Sequence, residues 1–410
     1  MKAFWGWSIA IGLILRLVMS QVIYSGDLNN HIGWAKSILS LGSRGAYDRE
    51  YVGIMQPTYP PLSLYNFTTS QWLYDRTYSF AWWLNKNVPM FPSRVIWLLE
   101  IQNVMPSFHK ILTIVCDIGI ALLVFKLARG LGFSKNKAIV SYLLALFNPV
   151  VWYISSLWGQ IESVAIFFVL LGWWYSIKSH KLLSIVAIAA ALLTKQSTII
   201  LIPIYGLWIL KKWGLETVVK LFFCGLLFMY GVYSPFWQKT QMEWPISVYI
   251  DRIETGSGSN FISDHAFNPW AIYSHLEKVS DKNVRLWGIL GFVSAFSYIS
   301  YKFFKKTTLE MAMHANGLIV ISSFLLMTRM HERYLAPVLP FLAIFAPTSV
   351  LWFILYSVIS FGHQINLYNN WWVPTIQSWV SFSESWWTIY AVIISLTLSW
   401  AVWLYKYKKL

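Results

Sequence analysis

Charge is scarce in this chain. Asp, Glu, Lys and Arg make up 12% of its 410 residues, against roughly a quarter in soluble domains, so a water-soluble globule is excluded. Acidic charge is scarcer still, 17 residues against 32 basic ones. The resulting formal charge of +15 would suggest nucleic acid only if it formed a basic face on a folded soluble domain, and no such domain is present. Cysteine is almost missing. Cys116 and Cys224 both lie inside apolar runs, so no disulfide is expected and neither residue reports on redox compartment. Repeats and low-complexity tracts are absent too, and residues 1–410 read as one integral membrane domain.

What fills the chain is apolar: 57% hydrophobic residues and 18% aromatic ones, including 25 Trp. Amphipathic rings collect at membrane-water boundaries, so a chain with many crossings accumulates them. Runs at 4–24, 108–126, 138–155, 161–177, 217–235, 285–301, 308–328 and 387–404 are each about long enough to cross ~30 Å of hydrocarbon. Two further stretches carry breaks: 182–210 at Thr194, Lys195, Gln196 and Ser197, and 335–362 at Pro347. Each reads as a pair of short helices turning at the break. The expected fold is therefore all-α and polytopic, with about 12 transmembrane helices, some short or broken. Residues 4–24 resemble a signal peptide, but Arg16 interrupts the run and no small-residue cleavage site follows, so they read as a retained first helix.

Basic clusters between the runs fix an orientation. Lys126, Arg129, Lys135 and Lys137, then Lys178 and Lys181, then Lys211 and Lys212, then Lys302, Lys305 and Lys306, and finally Lys406, Lys408 and Lys409 all fall on one side, taken as cytoplasmic under the positive-inside rule. Both termini then lie inside. Every acidic residue except Asp117, Glu216 and Glu310 falls on the opposite, external face, which is where chemistry is sought. Two external loops, 25–107 and 236–284, are too long for connectors and interleave aromatics, prolines and charges, so they are expected to fold onto the outer face. Asn30 to Leu41 and Pro92 to Met105 suit short interfacial helices.

Several polar residues on that face invite a functional reading. Asp27 stands immediately beyond the first span. It is either the cap of a helix starting near Leu28 or a base able to deprotonate a hydroxyl presented from water. Tyr59 lies in Thr58, Tyr59, Pro60, Pro61, Leu62, a rigid extended segment by virtue of its prolines. Glu162, in the turn that also holds Trp158 and Gln160, is a site acid or a solvated turn residue. Lys195 sits between two short helices, where a charge is costly unless paired or in a wet cavity. The run Arg329, Met330, His331, Glu332, Arg333, Tyr334 follows an apolar span. Anchoring accounts for one arginine there, whereas the whole group suits a phosphate, for which guanidinium offers a planar fork. Arg16 and Asp117 lie at matching depth in the first two spans and are expected to neutralise one another structurally.

In this order the motifs resemble the GT-C superfamily of membrane glycosyltransferases, in particular those similar to the dolichyl- or polyprenyl-phosphate-sugar-dependent glucosyl- and mannosyltransferases of glycan biosynthesis. The matching elements are Gly26 and Asp27; Tyr59, Pro60, Pro61, Leu62; Trp158, Gly159, Gln160; Lys195, Gln196; Ala266, Phe267, Asn268, Pro269, Trp270; and His331, Glu332, Arg333, Tyr334. Residues 341–410 fall outside the resemblance. It implies inverting transfer of a hexose from a polyprenyl-monophosphate sugar to an acceptor hydroxyl, on a glycan, lipid-linked or protein acceptor, outside a bacterial plasma membrane. Asp27 would be the catalytic base. Arg333, His331, Lys195 and Arg329 would bind the donor phosphate, and Glu162, Gln160, Trp158, Tyr59, Asn268 and Glu332 would line the donor and acceptor site. Where many members pair acids in the first loop, Asp27 is followed by Leu28 and Asn29. A hard cation usually wants more than one carboxylate, so no metal or other cofactor is expected at Asp27, a divalent cation elsewhere being left open. The alternative reading is a lipid or solute transporter or flippase, which also uses broken helices and buried charge. The long first loop and the lack of two halves of similar hydropathy speak against it.

Overall fold

The computed structural model describes residues 2–238, 243–256 and 260–410. Among these the chain is helical, with isolated bridges at Phe261–Ser280 and between His331 and residues 264–265 in place of any sheet. The first helix, α1 (Lys2–Ser20), is followed by α2 (Gly26–Leu41), α3 (Pro61–Asn87), α4 (Arg94–Leu99) and α5 (Val104–Gly130). Next come α6 (Lys135–Phe147), the short α7 (Pro149–Trp152) with a π-helical turn over Tyr153–Trp158, α8 (Glu162–Ile177) and α9 (Lys181–Thr194). A 3-10 turn over Gln196–Leu201 leads into α10 (Ile202–Trp213) and α11 (Leu215–Tyr233). The chain continues through α12 (Trp244–Gly256), α13 (Pro269–Ser274), α14 (Arg285–Lys305) and α15 (Leu309–Leu326). It closes with α16 (Val338–Phe345), α17 (Val350–Asn370), α18 (Gln377–Glu384) and α19 (Trp386–Lys409).

Seven helical stretches among the described residues are long and apolar enough to cross a membrane, namely α1, α5, α6 with its π extension, α11, α15, α17 and α19. Helices α8 and α9 are apolar but shorter. The protein is thus an all-α polytopic membrane protein, in which every segment expected to span is helical. The stretch 285–301 forms most of α14, which is not among the seven because Ser294, Ser297, Tyr298, Ser300 and Tyr301 dilute it. Both broken pairs turn where the polar residues and Pro347 place the break. Apolar side chains such as Ile14, Val18, Phe222 and Leu227 stand exposed on α1 and α11, as a lipid-facing surface requires.

Local chemistry explains the boundaries that matter. Pro61 opens α3 because proline at the first helical position already holds the required φ. The expected extended segment therefore ends at Pro60, and a 27-residue helix takes its place. Asn148 ends α6 by turning its Oδ1 to the Val150 N–H at 3.0 Å, while its Nδ2 donates to Tyr356 and Ser360 of α17. Ser134, Thr308 and Ser349 cap α6, α15 and α17 by accepting from Lys137, Met311 and Trp352. Residues Met311–Leu325 of α15 are all buried, which makes this helix the axis of the main core against α10, α14, α16 and α19. A second, smaller core joins α2 and α3 through Trp34, Leu64 and Phe67 to Tyr233 and Trp244. Within the loop expected over 236–284, residues 239–242 and 257–259 lie outside those described.

Candidate active site

The end of α1 and the start of α2 are held against the π-helical turn, and this contact aims Asp27. The Ser25 N–H and hydroxyl both donate to the Trp158 carbonyl, at 3.2 and 3.0 Å. Beneath them the buried Lys110 ammonium donates to four carbonyls, those of Ser20, Ile23, Ser156 and Leu157, at 2.7–3.1 Å. An ammonium has only three protons, so these bonds are shared, and one side chain pins two chain turns. The turn ends at Gly159 with φ +88, where a Cβ would stand 3.2 Å from Leu28 and 3.3 Å from Lys110. A left-handed residue in that close contact favours glycine. Gln160 follows, and its amide donates to Asp27 Oδ2 while its Oε1 accepts from the Tyr59 hydroxyl at 3.3 Å. Asp27 lies in the first turn of α2, whose N-cap position is taken by Ser25. It is instead a half-exposed carboxylate in a three-member hydrogen-bond chain. Burial keeps the Tyr59 phenol well above its usual range, so it donates rather than ionises.

Two cations face this carboxylate. Lys195, the residue that ends α9, pairs with Glu162 in the first turn of α8. Arg333 spreads its fork over three acids: Nη1 lies 2.9 Å from Glu332 Oε1, Nε 3.4 Å from Glu162 Oε1, and Nη2 3.9 Å from Asp27 Oδ2. Burial disfavours its charge, but the carboxylates, Glu332 first and then Glu162, outweigh that and hold the guanidinium above its ordinary value. His331 is different. Burial first, then the nearby Arg333 and Lys195, push its imidazole well down, so it offers a hydrogen bond and no charge, with Nδ1 3.4 Å from Asp264.

These groups form one end of a cavity of about 380 Å³. Asp27, Tyr59, Glu162, Lys195, His331 and Arg333 line its polar end, and Ala165, Ile166, Val169, Leu201, Val320 and Phe341 its apolar walls. A space of that kind accommodates a molecule with a charged head and a hydrocarbon body.

Other residues singled out in the sequence stand elsewhere. Arg329 does not line the cavity: its guanidinium grips Asp281 with two bonds of 2.7 and 2.9 Å, at φ +61, and so fastens the segment before α14 to the end of α15. Asn268 is fully buried, caps α13 through the Ala271 N–H and donates to the Phe324 carbonyl. Trp158 is buried beneath the site, with Arg333 6.0 Å from its ring. Glu332 is buried behind Arg333. Gln160 touches Asp27 without lining the cavity. The sequence reading passed over Lys110 and His31. His31 lines the cavity stacked on Phe67 at 4.1 Å, its Nδ1 buried without a hydrogen bond. The stretch beyond 340 also serves the site: Asn366 of α17 holds the backbone of His265 and Phe267, and His363 meets the Glu332 carbonyl at 3.0 Å.

No known family model and no curated protein matches the chain. Among solved structures, the crystal structure of ArnT from Cupriavidus metallidurans bound to undecaprenyl phosphate is similar over 98% of this chain and 77% of its own, at 12% identity and a TM-score of 0.48.

Proposed function

We propose that this protein is a GT-C glycosyltransferase that moves a hexose, with inversion, from a polyprenyl-monophosphate sugar to an acceptor hydroxyl on the outer side of the membrane. One observation carries the reading: a cavity with apolar walls has a half-exposed carboxylate, Asp27, at a polar end that also holds Arg333 and Lys195. The prenyl chain would lie along Ile166, Val169 and Phe341, and the phosphate beside Arg333 and Lys195. The acceptor oxygen would attack the anomeric carbon as its proton passes to Asp27. As that bond forms, the bond from the anomeric carbon to the phosphate oxygen breaks, and polyprenyl phosphate leaves with the electron pair. Guanidinium and ammonium hold the charge that grows on the leaving oxygen. Tyr59 and Gln160 keep the Asp27 carboxylate turned toward the acceptor. The scheme is written without a metal, because Arg333 and Lys195 would stand beside the leaving phosphate.

The test is turnover. Purified protein in detergent, with no membrane gradient, is expected to consume a polyprenyl-phosphate hexose in the presence of acceptor. A chelator is expected to leave the rate unchanged. A transporter would need the gradient and would form no new glycosidic bond. Within the site, Arg333→Lys is expected to weaken donor binding about ten- to a hundredfold, because an ammonium cannot reproduce a fork and a hydrogen bond to a charged group is worth roughly 1.5–3 kcal/mol. His331→Ala should weaken it less, since the imidazole is neutral. Donor titrations decide the matter, and unchanged affinity in both variants would remove this phosphate assignment.

A further inference from the structure

The polar end of the cavity has more acid than base. Asp27 and Glu162 on the wall and Glu332 buried behind Arg333 set three carboxyl groups against the two basic side chains of Lys195 and Arg333, and His331 is neutral. Each nitrogen of the Arg333 fork is turned to a different carboxylate, and Lys195 is turned to Glu162. Two carboxylate oxygens, Glu162 Oε2 and Glu332 Oε2, are buried with no hydrogen-bond partner. Arg333 Nε makes no hydrogen bond, so the close pairings are Arg333 Nη1 with Glu332 and Lys195 with Glu162. An arriving phosphate would add a further negative charge to a site that has one too many. Poorly solvated like charges disfavour ionisation until one of them is neutralised.

A proton is the simplest neutraliser, and the geometry selects where it goes. Asp27 is half-exposed, so water already solvates it. Glu162 Oε1 is shared by Lys195 and Arg333 Nε. Glu332 has one cationic partner, Arg333 Nη1, and its side chain is 1% exposed. From the strand-like segment before α13, Asp264 and His265 face the same turn, and both stand by His331. From α17, His363 meets the Glu332 backbone carbonyl rather than its carboxylate. Tyr334 and Tyr59 are protonated phenols held there by burial. Of these only His265 acts on the Glu332 carboxylate as a cation does, and it does so less than Arg333.

Resting on the donor reading above, we infer that binding of the lipid phosphate is coupled to proton uptake by Glu332, which turns from the partner that holds Arg333 into a neutral acid and frees the fork for phosphate. The proton comes from solvent and settles on the carboxyl group; the Arg333 Nη1–H then exchanges a carboxylate oxygen for a phosphate oxygen. Independently, burial pushes the Glu332 carboxyl up from its ordinary range, with Arg333 and, more weakly, His265 opposing. The coupling has a definite sign. Affinity is greatest below the pKa that Glu332 has in the empty protein, and declines about tenfold per pH unit as pH rises above it. Glu332 is thus a positioning residue, acting on the donor through Arg333.

The probe is a short-chain polyprenyl-phosphate hexose, whose phosphodiester does not itself titrate near neutrality. Calorimetry on the full chain in detergent, in two buffers of different ionisation enthalpy, counts protons taken up on binding. Wild type is expected to take up close to one proton above that pKa. Glu332→Gln is expected to take up almost none and to bind with an affinity that no longer falls with pH. Equal proton uptake in wild type and Glu332→Gln would overturn the inference, as would wild-type binding without uptake. If the variant does not fold, infrared difference spectra of the wild type serve instead. A protonated-carboxyl C=O band should appear on binding, and its absence is equally decisive. Failure of the wild type to bind the probe at any pH would sink the donor reading with it, whereas binding without a proton sinks this inference alone.

Discussion

Asp27→Asn is expected to lower kcat for hexose transfer by about 10²- to 10⁴-fold, the usual contribution of a positioned general base, while leaving donor affinity near wild type. The amide keeps the shape of the carboxylate and still offers an oxygen to the Gln160 amide, so the chain from Tyr59 through Gln160 survives. It cannot take a proton. Nor does the change disturb Arg333 much, because its Nη2 is 3.9 Å from Asp27 and the guanidinium lies closer to two other acids. Product formation with donor and acceptor both saturating is the measurement, with donor titration as its control. Near-normal turnover would take the base role from Asp27. Glu162, the remaining acid on the cavity wall, is a poor substitute, since it is buried and occupied by Lys195 and Arg333.

Much of this architecture was legible because misplaced residues in an apolar run are conspicuous. Thr194 to Ser197 and Pro347 interrupt hydrophobic stretches, and the helices turn there. Arg16 and Asp117 are lone charges in spans, and they meet. The helix α3 was not legible, because its polar and aromatic residues follow no single apolar stripe and its opening Pro61 also suits an extended segment. Its burial against α2, α5 and α9 comes from tertiary contacts.

Arg329 and Arg333 show the limit most clearly. They are four residues apart with identical side chains, and sequence placed both at a phosphate. The difference lies in Asp281, far along the chain, which grips the first, and in Glu162 and Asp27, which face the second. Lys110 escaped notice for a related reason. A lysine near the start of a span reads as a boundary charge, whereas its actual partners are backbone carbonyls from two other turns, and carbonyls leave no mark in a sequence. Residues 341–410 likewise share no motif with the resembled family, yet α17 closes the site from behind through His363 and Asn366.

The other large effect belongs to stability. Arg16→Met and Asp117→Leu are each expected to destabilise the protein by about 3–5 kcal/mol, because each leaves its partner charged, buried and alone. Both side chains are fully buried, with Arg16 Nε 2.7 Å from Asp117 Oδ2. Further bonds tie the pair into the bundle: Arg16 donates to the carbonyls of Gly12 and Leu146, and Ser155 donates to Asp117 at 2.6 Å. The double variant removes both charges together. Its loss should therefore be well below the sum of the singles, closer to the few kcal/mol of the hydrogen bonds that Arg16 gives the Gly12 and Leu146 carbonyls. Thermal unfolding in detergent of the two singles and the double measures the coupling directly, and additive losses would mean that the two charges do not depend on one another. Because Ser155 and Ser156 belong to the π-helical turn that leads to Gln160, the double variant should fold yet transfer sugar more slowly. A folded double variant with wild-type turnover would separate this pair from the alignment of Asp27.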